Sequence, residues 1–115
     1  MPSTTALSPG DVAFAEVDFS DQGSSKKRPV VVLGPRTVYG DFACMALTSV
    51  ENPGDIPVND WESAGLSSPS WVRPTLAMIE ETAMGTRLGM LSRADKRSIA
   101  AMLRKMIAPV FFAQG

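Results

Sequence analysis

Four consecutive β-favouring apolar residues, Val30-Val31-Val32-Leu33, are cut off by Gly34-Pro35 and preceded by the basic run Lys26-Lys27-Arg28. An apolar run this short between breakers reads as a buried strand rather than a helix. Pro29 has no N–H to give to a sheet ladder, so it belongs at the strand's first position or at an edge. The strand is therefore expected to start at about Pro29, with Arg28 at its mouth. A guanidinium fixed at the rim of a sheet is a permanently charged donor fork, suited to a phosphate or a carboxylate.

The rest of the chain is cut in the same way. After a loose lead-in over residues 1–9, Gly10-Asp11 opens an extended run from Val12 to Phe19 whose far end has one polar face, with Glu16 and Asp18 on it. The segment from Ser20 to Lys27 is a loop of eight residues, too long for a tight hairpin. A third strand runs from about Asp41 to Val50 and carries the hydroxyl pair Thr48-Ser49. Asn52-Pro53-Gly54-Asp55 is a turn, and Ile56-Pro57-Val58 is a short strand that Pro57 confines to an edge. One or two helical turns follow over 59–66, stopped by Gly65. Trp71-Val72-Arg73 and Leu76 to Ile79 form an extended segment interrupted by Pro74, and a short strand is expected around Arg87 to Leu91.

The clearest helix comes last. Ser92 and Asp95 form an S-x-x-D cap, and Ile99, Met102, Leu103, Met106 and Ile107 make one apolar stripe. Many short strands, one small helix and one closing amphipathic helix imply a strongly bent sheet or small barrel. At 115 residues the expectation is a single domain, 1–115.

Several function classes are excluded on composition. The chain has no histidine, so Ser-His and Cys-His catalysis within one chain and every imidazole metal site are ruled out. Its one cysteine, Cys44, permits no intrachain disulfide and no thiolate zinc site, and it sits in an apolar strand pattern as a small core residue. The net charge of −1 gives no global field for nucleic acid, although the sign divides: residues 1–80 carry five Lys/Arg against ten Asp/Glu, and 81–115 carry six against two. Any nucleic-acid contact must come from a local cluster. No apolar run reaches membrane-spanning length and the polar N-terminus lacks a signal-peptide pattern, so a cytoplasmic location is expected.

Taken in order, Gly10-Asp11-Val12, Asp18-Phe19, Lys27-Arg28-Pro29-Val30-Val31-Val32-Leu33 and Leu47-Thr48-Ser49 resemble the MazF/PemK (Kid) family of toxin ribonucleases. Asp55-Ile56-Pro57-Val58, Trp71-Val72-Arg73 and Arg87-Leu88-Gly89-Met90-Leu91-Ser92 fit the same template, which spans about residues 10 to 107. The resemblance implies a mainly β fold with α: a small SH3-like β-barrel of the PemK/CcdB type with a C-terminal helix. It also implies a homodimer, a cognate antitoxin that blocks it, and sequence-selective cleavage of single-stranded RNA with no metal or other cofactor. The matching catalytic positions are Arg28, Thr48 and Arg73. Lys26, Lys27 and Ser49, with Glu16 and Asp18, are the accompanying RNA-binding candidates. Glu16 or Asp18 is also open as a base, Thr48 as a plain strand threonine, and Arg73 as an ion-pair partner of Asp18 or Glu62.

The chain departs from Kid-type members in two places. It has Thr75 where they carry an acidic residue two places after the arginine, and it lacks their histidine near the first strand, so their acid and base do not transfer. A toxin of the same fold that binds a topoisomerase and cuts nothing, as CcdB does, is the competing expectation.

Overall fold

The structure is a computed structural model that describes residues 7–17 and 26–107. Six strands form one antiparallel sheet: β1 (Asp11–Val17), β2 (Lys26–Val32), β3 (Asp41–Thr48), β4 (Ile56–Val58), β5 (Ser70–Glu80) and β6 (Met84–Met90). A 3-10 turn, Glu81–Ala83, joins the last two, and the helix α1 (Arg93–Met106) closes the chain. The spatial order is β4-β5-β3-β2-β1-β6. The protein is thus mainly β with a C-terminal helix, and among the described residues no helix is long and apolar enough to cross a membrane.

Both faces of the sheet are covered, which is why the central strands read as unbroken apolar runs. Val30 and Val32 pack with Ala13, Ala15, Phe42 and Cys44 on one side. Val31 packs with Val12, Met45, Leu47 and Val72 on the other, where α1 contributes Ile99. Burial from both sides removes the polar alternation that marks a half-exposed strand.

The sheet remains open, and its two edges are brought together by a turn rather than by a ladder. Gly65, at φ +84°, presses against β6: a Cβ there would lie 2.1 Å from the Leu88 carbonyl oxygen, and one on Gly89 would lie 2.5 Å from that of Ala64. Only glycine allows backbones to approach so closely from both sides. The turn over 59–65 therefore latches the β4 edge onto the β6 edge and supplies the bend that the short strands implied.

Asp95 holds the other end of that turn. Its carboxylate is fully buried and accepts hydrogen bonds from the N–H of Asn59 at 3.0 Å and of Asp60 at 2.9 Å. Ser92 is the N-cap as expected, its hydroxyl accepting from the Asp95 N–H at 3.2 Å. The third residue of the cap thus reaches across the fold instead of back to the cap itself. Asp11 of the Gly-Asp-Val segment has a comparable duty. It is 1% exposed, accepts from the Ser8 N–H at 2.8 Å, and pairs with the Arg87 guanidinium at 3.1 Å, tying β1 to β6.

Five elements differ from the sequence expectation, among them β6, which begins at Met84 instead of near Arg87. β2 begins at Lys26, with Pro29 inside it opposite Phe14 of β1; pairing with β3 starts only at Val30, so Pro29 interrupts no ladder on that side. β3 stops at Thr48 instead of Val50. β5 runs unbroken through Pro74 because the β3–β5 register shifts there, letting residues 73–75 bulge opposite Ala46. The 59–66 segment makes isolated turns and no regular helix. The expected edge position of β4, with Pro57, is observed.

Cys44 is fully buried, packed in one cluster with Leu7, Val32, Phe42 and Ile79. Burial pushes its thiol up to about 12, so almost none of it is thiolate near neutrality. It is expected to ignore a disulfide-exchange reagent such as Ellman's reagent in the native protein and to react stoichiometrically after denaturation; rapid labelling of the folded chain would contradict this placement.

Candidate functional site

The β2–β3 register that pairs Val30 with Ala46 sets Arg28 and Thr48 opposite each other, two residues beyond the last paired position. Pro29, which has no N–H to offer either neighbour, stands where that ladder stops. The strands part here, and a cleft of about 650 Å³ opens between them. Lys27 and Arg28 form one wall, and Thr48, Ser49 and Val50 leave β3 along another. The third wall is the segment from Gly65 to Ser68, the continuation of the turn that Asp95 and Gly89 hold. Phe14, Leu47 and Leu88 line the apolar part.

The cleft is electropositive. Ion pairs join Arg36 to Glu81 and Arg87 to Asp11, whereas neither Lys27 nor Arg28 has a carboxylate partner among the described residues. Thr48, Ser49, Ser67, Ser68 and Ser70 line the same cleft and add hydroxyl-bearing side chains to it. A lining that combines two cations, several hydroxyl-bearing side chains and apolar residues suits a phosphorylated ligand with a flat ring. Among the described residues, no cluster of three His, Cys, Asp or Glu side chains is placed to hold a metal.

Thr48 is pinned in place. Its Oγ accepts the Val50 N–H at 3.1 Å and donates to the Val50 carbonyl at 3.2 Å, closing a small turn at the strand end. One acceptor lone pair stays available to a ligand; donation to a phosphate oxygen requires the hydroxyl to leave the Val50 carbonyl, an exposed contact. Ser70 is likewise committed, donating to the Ser68 carbonyl at 2.9 Å and stiffening the third wall.

The candidate residues thus separate. Arg28, Thr48, Lys27 and Ser49 come together in the cleft. Glu16 lines a smaller depression beside it. Arg73 is exposed on β5 and is not brought to the cleft, nor does it pair with Glu62. Lys26 lies in β2 opposite Val17, with its side chain outside the described residues, and Asp18 falls outside them altogether.

Sequence reasoning missed Phe14 and the Gly65–Ser70 wall. The Ser67-Ser68-Pro69-Ser70 cluster signals a loop but not which strands it will face, because that depends on a latch between residues 65 and 89.

The sequence pattern of the PemK-like, MazF-like toxins of type II toxin–antitoxin systems matches residues 8–107. The Mycobacterium tuberculosis toxin MazF-mt6 superposes with a TM-score of 0.67 at 21% identity, over 83% of this chain and 93% of that one. MazF from Deinococcus radiodurans superposes at 0.69 and 15% identity, over 87% and 94%. A mycobacterial endoribonuclease bound to its cognate antitoxin gives 0.67 at 16%, over 87% and 91%. A comparison with curated proteins found no match. These structural likenesses bear on the fold, and the match over 8–107 settles the membership: the chain belongs to the PemK-like, MazF-like toxins of type II toxin–antitoxin systems.

Proposed function

We propose that this toxin is an endoribonuclease that cuts single-stranded RNA and so arrests translation. One observation carries the reading: Arg28 and Thr48 stand opposite each other on the walls of one electropositive cleft. RNA supplies its own nucleophile, so the protein must align the 2′-oxygen with phosphorus and stabilise the charge that gathers on the non-bridging oxygens. The 2′-oxygen forms the new bond to phosphorus and gives its proton to solvent, the bond to the 5′-oxygen breaks, and the leaving oxygen takes a proton from solvent. Arg28 meets the two non-bridging oxygens as a fork, Lys27 holds a neighbouring phosphate, and Thr48 steadies the ribose or a phosphate oxygen. Arg73, outside the cleft, is left to phosphates farther along the strand. Positioning and electrostatics carry the reaction, since neither arginine nor threonine is an effective base.

The solved complexes of related MazF proteins with their antitoxins support a cognate antitoxin as this toxin's partner. The family resemblance supports a homodimer acting in the cytoplasm. The test is direct: purified protein, incubated with single-stranded RNA in EDTA, is expected to leave 2′,3′-cyclic phosphate and 5′-hydroxyl ends. A requirement for magnesium would overturn the chemistry, and intact RNA would leave binding to a protein target as the toxic act.

A further inference from the structure

The cleft has a neighbour. A depression of about 220 Å³ is lined by Phe14, Ala15, Glu16, Lys27 and the segment 82–85. Phe14 and Lys27 line both hollows, so the half-buried ring and the exposed ammonium form the saddle between them. Arg28 and Thr48 belong only to the large hollow, and Glu16 only to the small one. The register sets Glu16 opposite Lys27, yet the two form no ion pair, and Glu16 makes no hydrogen bond among the described residues. A carboxylate with no partner among the described residues, in a hollow that adjoins a phosphate-binding cleft, is the wrong group for a second phosphate.

Resting on the RNA reading above, we propose that the small depression receives a guanine base of the substrate and that Glu16 selects it. An ionised carboxylate offers two acceptor oxygens and no donor. Guanine is the one RNA base whose Watson–Crick edge presents two adjacent donors, N1–H and the N2 amino group, and these meet the two oxygens side by side. Adenine and cytosine put an acceptor ring nitrogen beside their amino group, and uracil flanks its single N–H with carbonyls; each turns a lone pair toward the carboxylate. The hollow has room for one base. Phe14 on the saddle gives the strand an aromatic face to stack on, and Lys27 stands where the phosphate linking the two seated nucleotides must pass. Unstacked bases of single-stranded RNA are recognised in this manner, by a ring face and an edge together.

The experiment compares the ends cut from a random RNA pool by the wild-type chain and by Glu16→Gln, with circular dichroism and thermal melting to confirm that both are folded. Wild-type ends are expected to show guanine at a fixed distance from the cut, and the variant, whose amide offers only one acceptor, is expected to lose that enrichment. Inosine, which lacks the N2 amino group, placed at that position should lower wild-type cleavage roughly 10- to 100-fold and affect Glu16→Gln little. A binding arm uses a non-cleavable 2′-deoxy oligonucleotide carrying guanine or hypoxanthine there, and the same ratio is expected in affinity. No enriched guanine, an enrichment untouched by Glu16→Gln, or a uniform loss of rate on every sequence would each overturn the proposal; the last would place Glu16 in the chemistry. Guanine-dependent binding without cleavage by the wild type would sink the nuclease reading and leave this one standing.

Discussion

Arg28→Ala is expected to reduce cleavage of single-stranded RNA by about 10³-fold, the scale on which transition-state charge stabilisation by one cationic donor operates. The same substitution should hardly change the melting temperature. Arg28 is exposed and has no ion-pair partner among the described residues, and such surface changes usually stay within about 0.5 kcal/mol. Arg28→Lys is expected to recover only part of the loss, because an ammonium keeps the charge but not the planar fork. Initial rates on a fluorogenic oligonucleotide, set beside thermal melts of the same samples, check both halves of the claim. Retention of cleavage within about tenfold by Arg28→Ala would remove this residue from the reaction. A matching collapse of the melting temperature would make its role structural.

The largest stability effect is expected elsewhere, at Asp95. The carboxylate is wholly enclosed and is the acceptor for two backbone N–H groups 35 and 36 residues away. Asp95→Ala removes two charge-assisted hydrogen bonds and leaves two donors without partners, a loss of about 3 kcal/mol. In a domain of this size that corresponds to a fall of roughly 10 °C in melting temperature. Ser92→Ala, which deletes the helix cap alone, should cost only about 1 kcal/mol. Thermal unfolding of the two variants side by side tests the ordering. Equal, small shifts would show that the carboxylate merely caps its own helix.

The two predictions mark where the sequence was informative and where it was silent. That Arg28 and Thr48 would lie at neighbouring strand ends was legible, because consecutive antiparallel strands put the start of one beside the end of the next. Valine-rich runs and a capped amphipathic stripe announced β2 and α1 through purely local preferences. β6, with its two glycines, carries little strand preference of its own and is held by a one-sided, irregular ladder to β1. Pro74 suggested a break that a bulge absorbs. Asp95 looked like an ordinary third residue of a cap, since nothing within a few positions reveals a bond formed across the fold. The third wall of the cleft failed to appear for the same reason, as did the absence of Arg73 from the cleft lining: each depends on register and latching between distant segments.

The latch at residues 59–65 also sets an order in time. Translation delivers the cations, the hydroxyls and the serine wall first, and only afterwards Gly89 and Asp95, the residues that clamp that wall in place. A growing polypeptide thus carries every side chain of the cleft before it can hold them in one shape. For a protein proposed to destroy messages, the weapon is assembled only once its own message has been read into the closing helix.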